Sequence, residues 1–288
     1  MLYEALARRC YVIAEVGQNH QGDMEIAMEL IRQAKLAGAD AVKSQKRDIR
    51  TMLTPDEYKR PYSSAHAFGA TYGEHREALE LSAGQHAELL QYARSLGIAY
   101  FCSPWDIPSA ELLHRLGMPL FKIPSACVTH IPLLRTIGSF KKPVILSTGM
   151  SNLEEIDRAV AVLRGCELVV LQCTSAYPCD FNVVNLRAMD TLRSRYGLPV
   201  GLSGHHRGIA VDAAAVALGA RVLERHFSLD RTLKGSDHAA SLEPPGLARL
   251  VRDARAVEAA LGSGEKDVLP CELPSLEKLR GERLRQAG

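Results

Sequence analysis

Eight times along this chain a short apolar run is followed by an amphipathic stretch, and no other feature restricts the fold as tightly. The runs fall at 11–16, 41–45, 99–103, 120–125, 143–148, 168–174, 200–205 and 222–227. Runs of this length, rich in Val, Ile, Leu and Phe, read as parallel strands covered on both faces. Helical spacing follows at 24–37, 84–96, 108–116, 131–139, 153–164, 185–196, 209–219 and 245–261. In the first of these, Ile26, Met28, Leu30, Ile31 and Ala34 carry the pattern and Gly38 closes it. Ser82, and Ser151-Asn152 followed by Glu154-Glu155, are helix starts, and Gly97, Gly117, Gly165, Gly197, Gly219 and Gly262 are stops. Eight strand–helix units are the arithmetic of an α/β fold, a parallel (β/α)8 TIM barrel. The alternative, an open doubly wound sheet, needs a topological break that the pattern lacks.

Residues 1–270 are therefore read as the barrel, and 271–288 as a charged tail with a short helix over 276–285. A barrel routinely fills a chain of 288 residues. The one long gap, 46–81, is of the length that is usually functional or mobile. Its Lys46, Arg47, Arg50, Lys59 and Arg60 fit a solvated face and a ligand contact equally well. With 47% hydrophobic and 24% charged residues the chain is neither disordered nor fibrous. No apolar run approaches the ~18 residues of a membrane helix, and MLYEALARRC has no leader-like apolar core. Thirty-five basic against 33 acidic residues create no field pointing to nucleic acid or membrane, and neither is expected as a partner. Seven cysteines without CxxC spacing fit reduced thiols, so a cytoplasmic location is expected.

In such barrels the chemistry sits at the C-terminal strand ends. Those positions hold Glu15; Lys43 and Gln45; Ser103; Lys122 and Ser125; Ser147; Cys173, Ser175 and Tyr177; Ser203 and His205; Glu224 and His226. Polar groups converging from all eight ends are not explained by packing, because burying one without a partner costs roughly 2–7 kcal/mol. Lys43 and Lys122, with Ser125, Ser147, Ser175 and Ser203 around them, suit the phosphate and carboxylate of one small ligand. His205 and His226 end adjacent strands, with Glu224 on the face of His226, a donor set for a divalent transition metal. His20, His206 and His238 are weaker candidates, and Asp237 in the loop after the last strand could add a ligand or bind a sugar hydroxyl. Glu15, at the end of an apolar strand, either pairs with a lysine or serves proton transfer. Cys127 and Cys173 lie near the same mouth without a Cys–His signature.

The segments EVGQNHQGD (15–23), AVKSQK (41–46), TYGEHREALELS (71–82), FCSPWD (101–106), FKIPSA (121–126), PVILSTGM (143–150), LQCTSAYP (171–178), GLSGHH (201–206) and LERHF (223–227) together resemble the sialic acid synthases. The likeness runs in register over about residues 11–270. It implies a (β/α)8 barrel that condenses phosphoenolpyruvate with N-acetylmannosamine or a related amino sugar, using a divalent metal, commonly Mn2+. His205 and His226 match the family's metal ligands, and Lys43, Lys122, Ser125, Ser147 and Ser203 its phosphoenolpyruvate contacts. Ser175 stands where the family often has Asn. Glu15 matches the proton-transfer carboxylate, and Gln45, Tyr177 and Asp237 match acceptor-side positions. By this resemblance the metal polarises the acceptor aldehyde, C3 of phosphoenolpyruvate attacks it, water adds at C2 and phosphate leaves.

Two departures fall on the acceptor side. Cys127 stands where the typical synthase has a Glu that binds acceptor hydroxyls, and Gly204 replaces a common Asp. The sequence given also ends before the antifreeze-like domain that usually follows the barrel and reaches across a dimer. A homodimer, and a separate protein supplying that domain, are the partners this implies. Two other readings compete: a Schiff-base aldolase using Lys122 or Lys43, and a non-catalytic sugar-acid-binding relative.

Overall fold

The computed structural model describes residues 2–286, and its eight strands close on themselves in chain order. They are β1 (Tyr11–Gly17), β2 (Ala41–Lys46), β3 (Ala99–Pro104), β4 (Phe121–Ile123), β5 (Val144–Ser147), β6 (Leu168–Cys173), β7 (Val200–Gly204) and β8 (Val222–His226). Every neighbouring pair is parallel, and β1 against β8 (Ile13 opposite Glu224, Glu15 opposite His226) seals the barrel. The open doubly wound alternative is thereby excluded.

Thirteen helices accompany them among the described residues: α1 (Leu2–Arg8), α2 (Met24–Leu36), α3 (Ile49–Met52), α4 (Pro55–Lys59), α5 (Tyr72–Ala78), α6 (Ala83–Leu96), α7 (Ile107–Arg115), α8 (Ile131–Ser139), α9 (Leu153–Leu163), α10 (Ala188–Tyr196), α11 (Ala210–Ala217), α12 (Pro244–Leu261) and α13 (Leu273–Gln286). Their ends follow local chemistry. Asn152 and Glu155 form a reciprocal cap on α9, as do Ser82 and Gln85 on α6, and Gly97 ends α6 in the left-handed conformation. The chain divides into one compact unit running to Glu258 and a second from Ala259, which holds α13. None of the described helices is long and apolar enough to cross a membrane. All seven cysteines are free.

Because strand side chains alternate, each strand serves two environments. Outward residues such as Val12, Ala14, Val42, Val144 and Leu202 pack against the helices, meeting Leu30, Ile31, Leu89 and Leu133. Inward residues form an apolar lower tier of Ile13, Ala41, Phe101, Leu120, Ile145, Val169, Leu171 and Val222. That tier is closed from below by Leu2 and Leu6 of α1, an element the apolar periodicity did not mark. Tyr3 fastens the plug, its hydroxyl donating to the Leu168 carbonyl and accepting from the Leu168 N–H, both at 2.9 Å.

Two local differences from the sequence reading have physical causes. β4 stops at Ile123 instead of running to Ser125, because Pro124 has no N–H for the ladder and the chain turns into a 3-10 segment, Ser125–Cys127. The long connection after β2 is ordered as α3, α4 and α5. Gly73 is required there, since a Cβ would lie 2.2 Å from the Tyr58 ring. Of its basic residues, Lys46 and Arg47 turn onto Glu80 at 3.1 and 3.4 Å, while Arg50, Lys59 and Arg60 are exposed.

Leu6 is 3% exposed and packs into the apolar lower tier. Leu6→Ala is expected to lower stability by about 2–5 kcal/mol, read as a drop in the urea midpoint. An unchanged midpoint would show that α1 does not plug the barrel.

Candidate active site

Above the apolar tier the inward positions become polar within one residue pair per strand. Ile13 gives way to Glu15, Ala41 to Lys43, Phe101 to Ser103, Ile145 to Ser147 and Val222 to Glu224. Parallel register sets Glu15 beside Lys43. The Lys43 ammonium lies 2.7 Å from Glu15 Oε2 and 3.8 Å from Glu224 Oε1, and it donates to Ser103 Oγ at 2.9 Å. Lys122 lies 3.3 Å from the same Glu224 oxygen. Both lysines and both glutamates are almost fully buried. Glu224 is the member whose role the sequence did not reveal. Read there as a carboxylate for the imidazoles, it is instead the anion shared by two lysines.

Lys43, Lys122 and Glu224 respond differently to burial. Burial disfavours the Lys43 ammonium, but the charges of Glu15 and Glu224 outweigh it and its pKa is raised. For Lys122 burial prevails and the pKa is lowered, since the pull of Glu224, with smaller ones from Cys173 and Glu15, is opposed by repulsion from Lys43. Burial would raise Glu224, but Lys122 and Lys43 hold it below the ordinary carboxylate value.

Over this floor lies a cavity of about 260 Å³. Of the residues singled out in the sequence, Glu15, Lys43, Gln45, Lys122, Ser125, Ser147, Ser175, Tyr177, Ser203, His205 and His226 line it. Ser103 is buried behind Lys43, and Asp237 stands at the rim, its Oδ2 3.9 Å from His226 Nδ1. Trp105, Pro124, Ala126, Met150 and Cys173 add to the wall. Gly149 brings the hydroxyls together: its N–H donates to Ser125 Oγ at 2.9 Å, and an added Cβ would lie 2.3 Å from Ser175 Oγ. Burial would raise the Cys173 thiol, but hydrogen bonds from His205 and Ser125 and the nearby positive charge bring it to about 7.

The two imidazoles are 5.4 Å apart by ring centroid, with the Tyr177 ring 4.0 Å from His205 and 5.8 Å from His226. His205 Nδ1 bonds the Thr174 carbonyl at 3.0 Å, which leaves Nε2 as its lone-pair atom. Burial lowers the His226 pKa and keeps it neutral, and its Nδ1 is buried without a hydrogen-bond partner. Burial would lower the His205 pKa, but the Cys173 sulfur beside that ring raises it, so His205 offers Nε2 once it loses its proton. His226 offers a free lone pair, and two such imidazoles fit a divalent ion. Among the described residues no group of three or more His, Cys, Asp or Glu is placed to hold a metal. An ion held by these two would take its other ligands from water or substrate. The weaker histidine candidates lie elsewhere. His206 faces Asp212 and Arg225 at 3.0 Å each, His238 bonds Ser228 at 2.7 Å, and His20 Nδ1 accepts the Gly22 N–H at 3.0 Å.

Ser147 Oγ, Glu224 Oε2 and His226 Nδ1 are buried without partners around one cavity. Each such atom costs about 1–3 kcal/mol, a cost that a bound polar ligand removes.

Comparison with known proteins supports the resemblance over most of the chain. Residues 30–266 match the NeuB family. The human N-acetylneuraminate-9-phosphate synthase is 45% identical over 94% of this chain and 76% of its own length. The N,N'-diacetyllegionaminic acid synthase of Campylobacter jejuni is 40% identical over 95% of this chain and 84% of its own. The crystal structure of the N-acetylneuraminic acid synthetase from Leptospira borgpetersenii, in complex with citrate, superposes with a TM-score of 0.82 at 31% identity, over 96% of this chain and 93% of that one. A truncated 3-deoxy-D-arabino-heptulosonate 7-phosphate synthase from Thermotoga maritima, 19% identical with a TM-score of 0.65, shares the fold.

Removing one partner from the buried quartet leaves an uncompensated charge. Lys43→Met is expected to cost about 3–5 kcal/mol of stability, measured by thermal or urea unfolding. A loss below about 1 kcal/mol would mean the quartet does not hold the floor of the site.

Proposed function

We propose, from the premise that this chain belongs to the NeuB family, that it is a synthase joining phosphoenolpyruvate to an aldose to give a 2-keto-3-deoxy sugar acid. The observation that carries this reading is the lysine-floored cavity with its unpartnered Ser147, Glu224 and His226 atoms. Lys122 is the lysine available to an anion. Its hydrogen bond to the Ile123 carbonyl is long, 3.4 Å, and its carboxylate is shared, whereas Lys43 is spent on Glu15 and Ser103. The hydroxyls of Ser125, Ser147, Ser175 and Ser203 supply the remaining donors for phosphate and carboxylate.

His205 and His226 would hold a divalent ion, Mn2+ being the choice the family suggests, and that ion supplies Lewis-acid polarisation of the acceptor carbonyl. The chain's own residues do the rest. The anion cradle fixes phosphoenolpyruvate with C3 toward the aldehyde, and a carbon–carbon bond forms as the aldehyde oxygen takes up the proton given up by the water that adds at C2. Glu15, oriented by Lys43 and by Gln45 at 2.8 Å, takes a proton from the water that adds at C2. The C2–O bond to phosphate then breaks, the C2 hydroxyl proton passes to the phosphate as C2 becomes a ketone, and Lys122 and the hydroxyls stabilise the departing anion. Burial does lower the Lys122 pKa, as a Schiff-base lysine requires, but its ion pair with Glu224 keeps the ammonium form. Borohydride with pyruvate is therefore expected to leave the chain unmodified.

Phosphate release from phosphoenolpyruvate should require both Mn2+ and an aldose, tested across N-acetylated amino sugars. His226→Ala should reduce the rate by about 10³-fold, the equivalent of several kcal/mol of lost charge stabilisation. Gly149→Ala should raise KM for phosphoenolpyruvate about tenfold or more by driving apart the Ser125 and Ser175 hydroxyls. Failure to bind phosphoenolpyruvate would overturn the reading.

A further inference from the structure

One buried guanidinium stands behind the cavity wall, and the reaction described above gives it no task. Arg47 is 6% exposed and lies outside the cavity lining, yet it stacks at 4.1 Å on the ring of Trp105, which belongs to that lining. Glu80 anchors it from the far side, with Oε1 3.4 Å from Nη1. Glu80 does not depend on that contact, because Lys46 Nζ and the Arg47 backbone N–H reach its other oxygen at 3.1 and 2.9 Å. The inward bond of the guanidinium runs from Nη2 to Gln45 Oε1.

That bond decides which way the Gln45 amide faces. An amide group has an accepting end and a donating end, and turning it over exchanges them. A guanidinium can only donate, so it claims the oxygen and turns the NH2 group toward Glu15, whose Oε1 accepts from Nε2 at 2.8 Å. Lys43 faces the second carboxylate oxygen at 2.7 Å, so both oxygens of Glu15 are held. The fit is close. Gly17, with φ +56°, passes over the contact where a Cβ would lie 3.2 Å from Glu15 Oε1 and 3.3 Å from Gln45 Nε2. Without Arg47 the amide is free to turn over, and the turned amide sets a carbonyl oxygen against the carboxylate and leaves that carboxylate oxygen without its donor.

We propose that Arg47 is a positioning residue: through the Gln45 amide, and without touching substrate, it holds the Glu15 carboxylate in the orientation that takes the proton from the water adding at C2. The inference rests on the synthase reading and adds to it a residue behind the cavity wall. A misdirected general base lowers the rate and leaves affinity intact, because the contacts of phosphoenolpyruvate with Lys122 and the serine hydroxyls do not involve Arg47.

The test follows phosphoenolpyruvate consumption by the full chain with Mn2+ and a saturating N-acetylated amino sugar, in the wild type, Arg47→Met, Arg47→Lys, Gln45→Leu and the Arg47→Met/Gln45→Leu double variant. Arg47→Met should lower kcat about 10- to 100-fold while KM for phosphoenolpyruvate stays within about twofold, and Arg47→Lys, which still donates, should recover part of the loss. The solvent deuterium isotope effect on kcat should grow in Arg47→Met as proton transfer slows. In the Gln45→Leu background Arg47→Met should cost less than about a further twofold, because the group it acts through is gone. Trp105 is the single tryptophan, so quenching of its fluorescence by phosphoenolpyruvate reads binding without turnover. The Kd should be the same in Arg47→Met as in the wild type, which also shows that the variant folds. An unchanged kcat in Arg47→Met, losses that multiply in the double variant, or phosphoenolpyruvate binding weakened in step with the rate would overturn the positioning role while leaving the synthase intact. A wild type that consumes no phosphoenolpyruvate with any of these sugars would overturn the synthase reading and this inference with it.

Discussion

Everything at the mouth of this barrel depends on a charge-balanced quartet, Glu15, Lys43, Lys122 and Glu224, contributed by β1, β2, β4 and β8. Four ionised groups taken out of water carry a desolvation penalty of several kcal/mol each, recovered only when geometry and hydrogen bonds are good. The barrel meets that condition by closure. Pairing of β1 with β8 brings the first and last strands together, and Glu224 can reach Lys43 only because the sheet has no edge there. Closing the sheet and completing the charge set are one event.

The balance also explains how the floor can be polar without being open to water. Below it the apolar tier and the Leu2/Leu6 plug exclude solvent from the barrel's lower end. Above it lies the cavity proposed to take the anionic ligand. In this low-dielectric layer small differences in pairing become chemical differences. Lys43, held by two carboxylates, is firmly ammonium, whereas Lys122, with one shared carboxylate, is easier to engage with an incoming anion.

Most of the architecture was legible in the sequence because its signals are local. Buried parallel strands are continuous apolar runs, caps such as Asn152–Glu155 are three residues apart, and a two-residue period predicts which strand residues face inward. The features that escaped were weaker or non-local. α1 is one short helix with only Leu2 and Leu6 buried, too few apolar positions to show a period. Arg47 and Arg50 look alike as charges in a gap, yet one is buried against Trp105 and the other exposed on Glu77. Glu224 was visible as a carboxylate, but its lysine partners lie on strands far away in the chain.

The sequence by itself therefore determined the strand count, the parallel barrel and the residue types at the strand ends, since each follows from spacing within a few residues. Tertiary structure alone decided which of those residues meet. Ser125 leaves its strand because Pro124 ends the ladder, His206 turns outward to Asp212 while His205 turns in, and Arg76 approaches Gln18 across a long connection. Such contacts depend on closure, register and side-chain direction, quantities set by the packing of the whole barrel and not by neighbours along the chain.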